Sequence, residues 1–522
     1  MLRVSMSNGF NKRSLSPINL LFISFTAIFG SGWLFAPLYA AQIAGPGSLL
    51  AWLLGAVMAA VIGVTIAEVI SRFPKVGGLN RVAYLSHGEC LAFILTVLNL
   101  LVFIILPALE VRAVLQYLSS QIPGLIGQGG NLSASGYLLS ILLLALASVA
   151  NLFGTRTMAW FTSVSVFFKM LTPCLVCASF IWAVRETSFT QRVSWVAMFD
   201  TPWESIFQAI AVSGIIFSYN GFSQATVFGG EAQNPKRAIP FAILGSLLIS
   251  AALYILIQYA FLVALPSTTL ANGWKQLSFP GAEGPFSGVA ALLGLHWLLG
   301  MIYTDAVVSP MGTAFAYSSS APRLLYALSE NLNAWVWLRR LNTRGVPVAS
   351  IVFSFGFQAL AFWMLPSLKA MIAILVAAFI LCYTVAPAIL LRIRAQLGEQ
   401  PAVFRVPFYR LTCFLSISFS NLMVFACGWE ALRNLGLTCV ALIGIYWGVR
   451  RKSGKSLSEQ MIGSEWFLFQ AFCIVWLSFL KEKQCLSFST SASLILGVSA
   501  VALILSQLRA PPMVTGGEES LA

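Results

Sequence analysis

Four ionisable side chains interrupt stretches of sequence that are otherwise apolar: Glu110, Arg112, Lys169 and Asp305. Charged groups at membrane depth are costly, so by default they mark ion or substrate pathways. Glu110 and Arg112 lie about 200° apart around a helix and cannot pair with each other. We expect Asp305 to be the counter-charge of Lys169 or of Arg112. Glu110, Arg112 and Ser309 are candidate partners for charges on a substrate.

The composition of the chain is that of a polytopic membrane protein. Hydrophobic residues make up 58% of its 522 residues and charged residues 9%, against roughly 25% charged residues in a soluble domain. The net charge of +14 therefore indicates how the loops are oriented across the membrane, and does not indicate a surface that binds nucleic acid. Nine cysteines without a framework and two histidines argue against a metal site or a cofactor. The expected environment is the lipid bilayer, and no nucleic-acid partner is expected.

Apolar runs long enough to cross a bilayer predict an all-α protein with fourteen transmembrane helices, or twelve as the alternative. They fall near residues 17–41, 48–70, 91–118, 136–153, 160–183, 205–229, 240–265, 288–317, 347–366, 370–391, 411–428, 434–449, 465–480 and 490–508. With the N-terminus in the cytoplasm, 22 of the 31 basic residues lie in inner loops and 7 in outer loops, as the positive-inside rule requires. We therefore expect a multi-pass protein of the cell membrane with cytoplasmic tails at 1–16 and 510–522.

The first span is interrupted at its middle by Gly30-Ser31-Gly32. Two glycines around a serine weaken a helix, and at membrane depth such a break must be buried or line a polar cavity. The half-helix that follows would point unpaired amides and the positive end of its dipole at that cavity, which suits a carboxylate. Close packing of small residues between helices is the alternative interpretation.

An inverted repeat would place a matching break five spans later. The sixth span contains Phe217-Ser218-Tyr219-Asn220-Gly221, a run that favours a turn over a helix. Interruptions at corresponding places favour a functional pair of breaks over packing. Phe217 and Tyr219 offer aromatic bulk for a gate or a side-chain pocket, and ordinary packing is the alternative for each.

Five stretches, taken with their order and spacing, resemble the amino acid–polyamine–organocation (APC) superfamily of permeases. They are Gly30-Ser-Gly-Trp33, Ala67-Glu-Val-Ile-Ser-Arg-Phe-Pro-Lys-Val-Gly-Gly78, Asn151-Leu-Phe-Gly-Thr155, Phe217 to Phe222 with Gly230-Glu-Ala-Gln-Asn-Pro-Lys-Arg-Ala-Ile-Pro240, and Arg323-Leu-Leu-Tyr-Ala-Leu328. The run 108–117 and the Asp-x-x-x-Ser-Pro pattern that starts at Asp305 resemble the aspartate–proton symporter branch.

The resemblance implies a fold of the leucine-transporter type, a five-plus-five inverted repeat in which helices 1 and 6 are discontinuous. The repeats would span residues 17–190 and 200–400, and about four extra C-terminal helices would occupy 405–509. The substrate would lie between the two breaks. Its α-carboxylate would meet the amides of Gly30, Ser31 and Gly32, and its α-ammonium the carbonyls of Phe217, Ser218 and Asn220.

Lys169 stands in span five, where similar proton-coupled members hold a lysine and sodium-coupled relatives hold a cation. A lysine removed from water can load and release a proton in the physiological range. When charged, it would donate to carbonyls near the first break. The resemblance thus implies a proton-coupling role for Lys169, and Asp305 is a second candidate for that role. A fixed counter-charge to a helix end or a carboxylate is the alternative.

These features predict a secondary active transporter that imports an amino acid together with protons. An exchanger would use the same site without net proton uptake and is the alternative. A membrane enzyme would need clustered nucleophiles, acid–base groups or metal ligands, which isolated carboxylates and two histidines do not supply. A non-transporting nutrient sensor would be expected to carry larger soluble segments than these tails. Acidic, neutral and basic amino acids all remain candidate substrates.

Overall fold

The structure, a computed structural model, describes residues 15–74, 78–127, 130–153, 155–185, 195–279, 284–332, 335–342, 346–365, 368–397, 403–450 and 457–508. Both predicted tails lie outside the described residues, apart from residues 15 and 16. The same holds for Lys75, Val76 and Gly77 of the second family motif and for Gly154 of the third.

The described residues fold into helices joined by short turns. The first group is α1 (Pro17–Ile28), α2 (Gly32–Ala44), α3 (Ser48–Arg72), α4 (Gly78–His87), α5 (Glu89–Leu118), α6 (Ala134–Ala150) and α7 (Thr155–Ala183). The second is α8 (Trp195–Phe199), α9 (Trp203–Val212), α10 (Ile215–Tyr219), α11 (Gln224–Val227), α12 (Pro235–Ala264), α13 (Pro285–Leu292) and α14 (His296–Leu332). The third is α15 (Val348–Met364), α16 (Leu368–Tyr383), α17 (Val385–Leu397), α18 (Tyr409–Ala426), α19 (Trp429–Arg450), α20 (Leu457–Met461), α21 (Glu465–Glu482) and α22 (Phe488–Leu508).

Helical segments lie at all fourteen predicted positions. Within the described residues, eight helical segments are long and apolar enough to cross a membrane, or up to nine if one bent pair is counted as a single span. Three further apolar helices, α1, α6 and α15, are shorter. The chain is therefore an all-α, multi-pass membrane protein, and the total of fourteen spans stays a prediction. The predicted eighth span at 288–317 is divided between α13 and α14, because Gly294 adopts a positive φ of 72° between them.

The first span is broken where the sequence predicts. Helix α1 begins at Pro17, with the Ser16 hydroxyl accepting the Asn19 amide (3.2 Å), the usual arrangement for a helix start. It ends at Ile28, since Phe29 leaves helical geometry at φ −93° and ψ 80°. Helix α2 then starts at Gly32. The three residues between them form the first break.

The sixth span is broken in a different place from the one predicted. Helix α9 and the helical run that follows it are bent by 51° at Ser213 and Gly214, where Gly214 takes a φ of 102° that glycine alone adopts without strain. The predicted turn at Ser218 to Gly221 is a milder change, because the chain tightens into a 3-10 helix over Asn220–Ser223. The sharp bend therefore lies about one helical turn before the predicted residues.

The broken segments pack against several of the long helices. Helix α1 packs against α7, α12 and α14 and against the 3-10 segment Asn220–Ser223. Helix α5 runs along α14, and α2 packs on α9 and α10. Because α5, α7 and α14 carry Glu110, Lys169 and Asp305, this packing brings three of the four intramembrane charges to the first break.

The two broken segments touch through main chain at Gly221. A Cβ built on Gly221 would lie 2.0 Å from the amide nitrogen of Ile28 and 2.2 Å from the carbonyl carbon of Ala27. No side chain fits at this crossing. The end of α1 and the 3-10 segment are therefore held at backbone distance.

A buried carboxylate joins three segments at the end of α3. Glu68 is fully buried and accepts hydrogen bonds from Arg72 (2.8 Å), from Arg394 of α17 (2.8 and 2.9 Å) and from the Val406 amide (2.7 Å). Two guanidinium groups and an amide thus satisfy one carboxylate. The cluster fixes α3 against α17 and the segment before α18.

Candidate functional site

The first break separates two helix ends of opposite polarity. The α1 end exposes carbonyls that have no partner within their helix, and the α2 end exposes amides. The first bond within α2 runs from the Leu34 amide to the Ser31 carbonyl (3.0 Å), so the amides of Ser31, Gly32 and Trp33 precede it. The Gly30 amide turns back to the Ile28 carbonyl (3.2 Å). Dipoles favour a cation at the first end and an anion at the second.

Lys169 occupies the carbonyl end. Its Nζ donates to the Thr26 carbonyl (2.7 Å), to the Thr313 hydroxyl (2.9 Å) and to the Phe29 carbonyl. The side chain is fully buried. Lys169 therefore meets the end of α1 with three oxygen acceptors, the arrangement that a bound cation would otherwise need.

Thr313 belongs to this site, although it is not among the residues predicted from the sequence. Its hydroxyl lies 2.9 Å from the Thr26 carbonyl and 3.3 Å from the Ser309 carbonyl, and it accepts from Lys169. Thr313 follows Ser309 by four residues, which places both on one face of α14. That spacing is the signal that could have found it.

Glu110 occupies the amide end. Its Oε2 accepts the Ser31 amide (2.8 Å), and the side chain is 1% exposed. Oε1 lies against Gly30, where an added Cβ would fall 2.5 Å from it. The position that the sequence analysis assigned to a substrate carboxylate thus holds a carboxylate of the protein itself.

Asp305 holds the start of α2 from the other side. Its Oδ2 accepts the indole N–H of Trp33 (3.0 Å), and its Oδ1 accepts the Ser309 hydroxyl (2.7 Å). Trp33 therefore has a polar contact in addition to its stacking on Phe29. Asp305 and Glu110 both interact electrostatically with Lys169, so three charges share this region.

Arg112 has a different partner from those the sequence suggested. Its guanidinium donates to the Gly130 carbonyl in the connection between α5 and α6. The structure thus ties Arg112 to its own connecting segment, whereas Glu110 faces the break. The reason is the rotation of about 200° between the two positions on one helix.

The carbonyls predicted to be free in the sixth span are partly occupied. The Phe217 carbonyl accepts the Asn220 amide, and the Asn220 carbonyl accepts the Ser223 hydroxyl (3.3 Å). The 3-10 geometry of this segment uses them locally. The Asn220 side chain bonds Tyr383 and, at 3.4 Å, the Tyr317 hydroxyl.

Ser218 connects the sixth span to α2. Its hydroxyl donates to the Gly214 carbonyl (2.7 Å). A Cβ on Gly32 would lie 2.1 Å from that hydroxyl oxygen. The start of α2 is therefore in direct contact with α10, and Ser218 links this contact to the bend at Gly214.

Aromatic rings enclose the break on the α12 side. Tyr219 packs edge-on against Trp52 and Tyr254, with ring centroids 5.6 Å apart in both pairs. The Tyr254 hydroxyl donates to the Ile28 carbonyl (3.0 Å), and its ring stacks on Phe29 at 5.0 Å. Tyr219 is fully buried in this cluster and Phe217 is 7% exposed. Tyr254 is a further contact that sequence reasoning missed.

A small cavity with a mixed polar and apolar lining adjoins the 3-10 segment. It measures about 30 Å³, room for about two water molecules. Asn80, Asn99, Ser223 and Tyr383 are among its lining residues. Since Tyr383 also bonds Asn220, the cavity reaches the second broken segment.

Comparison with known proteins places the chain among amino acid transporters. The profile of the amino acid permease family matches residues 15–435. The aspartate-proton symporter of Bacillus subtilis (strain 168) is 30% identical over 485 residues, covering 91% of both chains. The glutamate/serine transporter AimA of the same organism is 27% identical over 90% of this chain and 88% of its own. The serine/threonine exchanger SteT, also from that organism, is 27% identical over 62% and 69%. The chain belongs to the amino acid permease family of the APC superfamily.

Proposed function

We propose that this permease is a secondary active transporter that imports an amino acid together with protons. It would adopt the leucine-transporter type of fold, with repeats at 17–190 and 200–400 and additional helices at 405–509. The protein would lie in the cell membrane with both termini in the cytoplasm. One relative, the aspartate-proton symporter of Bacillus subtilis, is named for such coupling.

The observation that carries the proposal is the contact between two broken helices. The start of α2 meets α10, the helix after the bend, at Gly32 and Ser218, and the end of α1 meets the 3-10 segment at Gly221. Transporters bind substrates at such discontinuities, where half-helix amides attract anions and unwound carbonyls attract cations. A pair of breaks that merely packed would not need buried charges at both helix ends.

The substrate would bind across these two segments. Its α-carboxylate would lie on the amides of Gly30, Ser31 and Gly32, which we call the carboxylate site. Its α-ammonium would lie against Phe217, Ser218 and Asn220, with Tyr219 behind it. Because the Phe217 and Asn220 carbonyls have local donors, this segment would open slightly when substrate binds.

Lys169 is the residue proposed to couple transport to protons. Charged, it bonds the end of α1 through three acceptors. On losing its proton it would keep at most two donors for these contacts, and the charge that favours the negative helix end would be gone. Asp305 would sense the same event, because its carboxylate is within electrostatic range of Lys169 and bonds Trp33 at the start of α2.

The test is uptake of radiolabelled L-aspartate, L-glutamate, L-serine and L-threonine into proteoliposomes. Uptake is measured with and without an inward proton gradient and with an uncoupler, for the wild type, Lys169→Ala and Lys169→Arg. Lys481→Ala, whose lysine pairs with Glu204 in a partly exposed ion pair, is the matched control. Symport predicts gradient-driven uptake that both Lys169 variants lose and the control retains.

Other outcomes point to the alternatives. Uptake that is independent of the gradient but requires amino acid inside the vesicles would indicate an exchanger, the activity for which the relative SteT is named. Lys169 would then be a structural cation. Saturable binding without uptake of any of the four amino acids would indicate a sensor.

A further inference from the structure

We propose that Glu110 is an internal ligand of the carboxylate site, and that a substrate enters only by displacing its side chain from Ser31. The inference rests on the proposed function, because it takes the amides of Gly30, Ser31 and Gly32 as the place where a substrate carboxylate binds. It adds a competitor that the protein supplies itself.

The first argument is chemical identity. The group that accepts the Ser31 amide is a carboxylate, at 2.8 Å and 1% exposed, the same group that an amino acid would present there. Helix α2 has no acidic residue in its first turn, and the Ser31 hydroxyl does not cap it. The positive helix end is therefore neutralised from α5, by a residue 79 positions along the chain.

The second argument is space. While Oε2 accepts the Ser31 amide, Oε1 lies over Gly30. A Cβ added to Gly30 would lie 2.5 Å from Oε1 and 2.9 Å from the carboxyl carbon of Glu110. The Glu110 carboxylate thus contacts the main chain of Gly30 directly, because glycine has no side chain there. A second carboxylate cannot take the same N–H until this one leaves, because one backbone N–H supports one strong bond of this kind.

Displacement has a thermodynamic consequence. The apparent affinity of a substrate is its intrinsic affinity multiplied by the fraction of protein in which the site is vacant. A carboxylate makes a charge-assisted bond about twice as strong as the neutral bond of an amide oxygen. Glu110→Gln should therefore vacate the site more often and lower the apparent Kd of carboxylate ligands by about tenfold.

The experiment measures binding to the purified full-length protein in detergent. Isothermal titration with L-aspartate, L-glutamate, L-serine and L-threonine is run on the wild type, Glu110→Gln and Glu110→Asp. Glu204→Gln, at the partly exposed pair with Lys481, is the matched control. Ethanolamine, an amine without a carboxylate, tests whether any increase in affinity is specific to carboxylate ligands. Acetate probes the carboxylate site without the rest of an amino acid, and its binding is measured as the shift of the thermal midpoint relative to chloride at the same concentration.

The aspartate variant separates contact from charge. It keeps the negative charge but is one methylene shorter, so its oxygen draws back from the Ser31 amide. We expect tighter binding of the amino acids and of acetate in both Glu110 variants, with ethanolamine and the Glu204 control unchanged. Tighter binding in Glu110→Gln alone would mean that the negative charge of Glu110 weakens binding by repulsion, without occupying the site. That result would overturn the proposal.

Two further results are decisive. An unchanged or weaker affinity for amino acids in both Glu110 variants, with both still folded by size-exclusion chromatography, would overturn the proposal and would make Glu110 a substrate contact or a scaffold. If none of the four amino acids binds the wild type or any variant, the proposed function fails. Acetate then tests the role of Glu110 separately. A larger shift of the thermal midpoint by acetate in both Glu110 variants than in the wild type supports occupancy of the site by Glu110, and equal shifts reject it.

Discussion

Gly221 lies against the main chain of Ile28 so closely that a Cβ on Gly221 would approach the Ile28 amide nitrogen to 2.0 Å. The neighbours it would meet are backbone atoms, which cannot rotate away as a side chain can. The geometry of both broken segments therefore depends on a missing side chain at one position.

Gly221→Ala should disrupt the site more than any isolated loss of a hydrogen bond. We expect the thermal midpoint to fall by several degrees and uptake to be lost, because overpacking of this kind costs about 1–3 kcal/mol or more. Gly356→Ala in α15, where an added Cβ meets nothing within 4 Å, is the control and should be neutral or slightly stabilising. A Gly221→Ala protein with normal uptake would show that the crossing can separate without loss of function.

Thr313→Val removes one oxygen from the set around Lys169 without changing the shape of the side chain. A hydrogen bond to a charged group contributes roughly 1.5–3 kcal/mol, so gradient-driven initial uptake rates should fall by about tenfold and by less than in Lys169→Ala. The control is Thr304→Val on the same helix, whose exposed hydroxyl bonds the Gly300 carbonyl within its own turn. Equal rates in Thr313→Val and the wild type would remove Thr313 from the site.

Glu68→Gln should be among the most destabilising single changes outside the break. It leaves Arg72 and Arg394 without their shared carboxylate, and breaking a buried ion pair costs about 3–5 kcal/mol. The free energy of unfolding in an SDS titration measures this. Glu204→Gln breaks a partly exposed pair with Lys481 and should change it by less than about 1 kcal/mol. Similar losses in the two variants would mean that the Glu68 cluster contributes no more than a surface pair.

His87 should make the protein less stable in acid. In α4, between the helices α3 and α5, burial and then the charge of Arg392 lower the pKa of His87 from 6.5 to about 3. Below pH 6.5 the unfolded chain binds a proton that the folded protein excludes, so stability falls as the pH drops. The loss between pH 7 and pH 5 should be about 2 kcal/mol.

His87→Asn should remove that part of the pH dependence, whatever its effect on absolute stability. The measurement is the free energy of unfolding of both proteins at pH 7 and at pH 5, compared as differences. Parallel losses in the wild type and the variant would assign the acid sensitivity to other groups.

The helices and the first break could be predicted because the determining signals are local. The length of an apolar run predicts where a transmembrane helix lies. Gly30-Ser31-Gly32 combines two residues without side chains and a low helix propensity at one point, which predicts the break. The second break was misplaced because the prediction weighed Ser218 to Gly221 and passed over Gly214. That single glycine takes a φ of 102°, and a helical pattern does not indicate which glycine will do so.

The partners at the site could not be predicted, because they are distant in sequence. Lys169 and Thr313 are separated by 144 positions, and Trp33 and Asp305 by 272. Which faces of α1, α5, α7 and α14 meet depends on packing over their whole length. The polarity of the two helix ends was predictable from the backbone alone, whereas the occupancy of the amide end by Glu110 depended on tertiary contacts.

The ring cluster around the first break gives this protein an optical probe of its own. Trp52 stacks on Tyr254 at 4.6 Å, and the Tyr254 hydroxyl is bonded to the last turn of α1. Trp52 also contacts Tyr219 of α10. Any rearrangement of either broken segment must change the surroundings of this indole. The protein has 15 tryptophans, so the difference in emission between the wild type and a Trp52→Phe variant would isolate this indole and follow the transport cycle without an added dye.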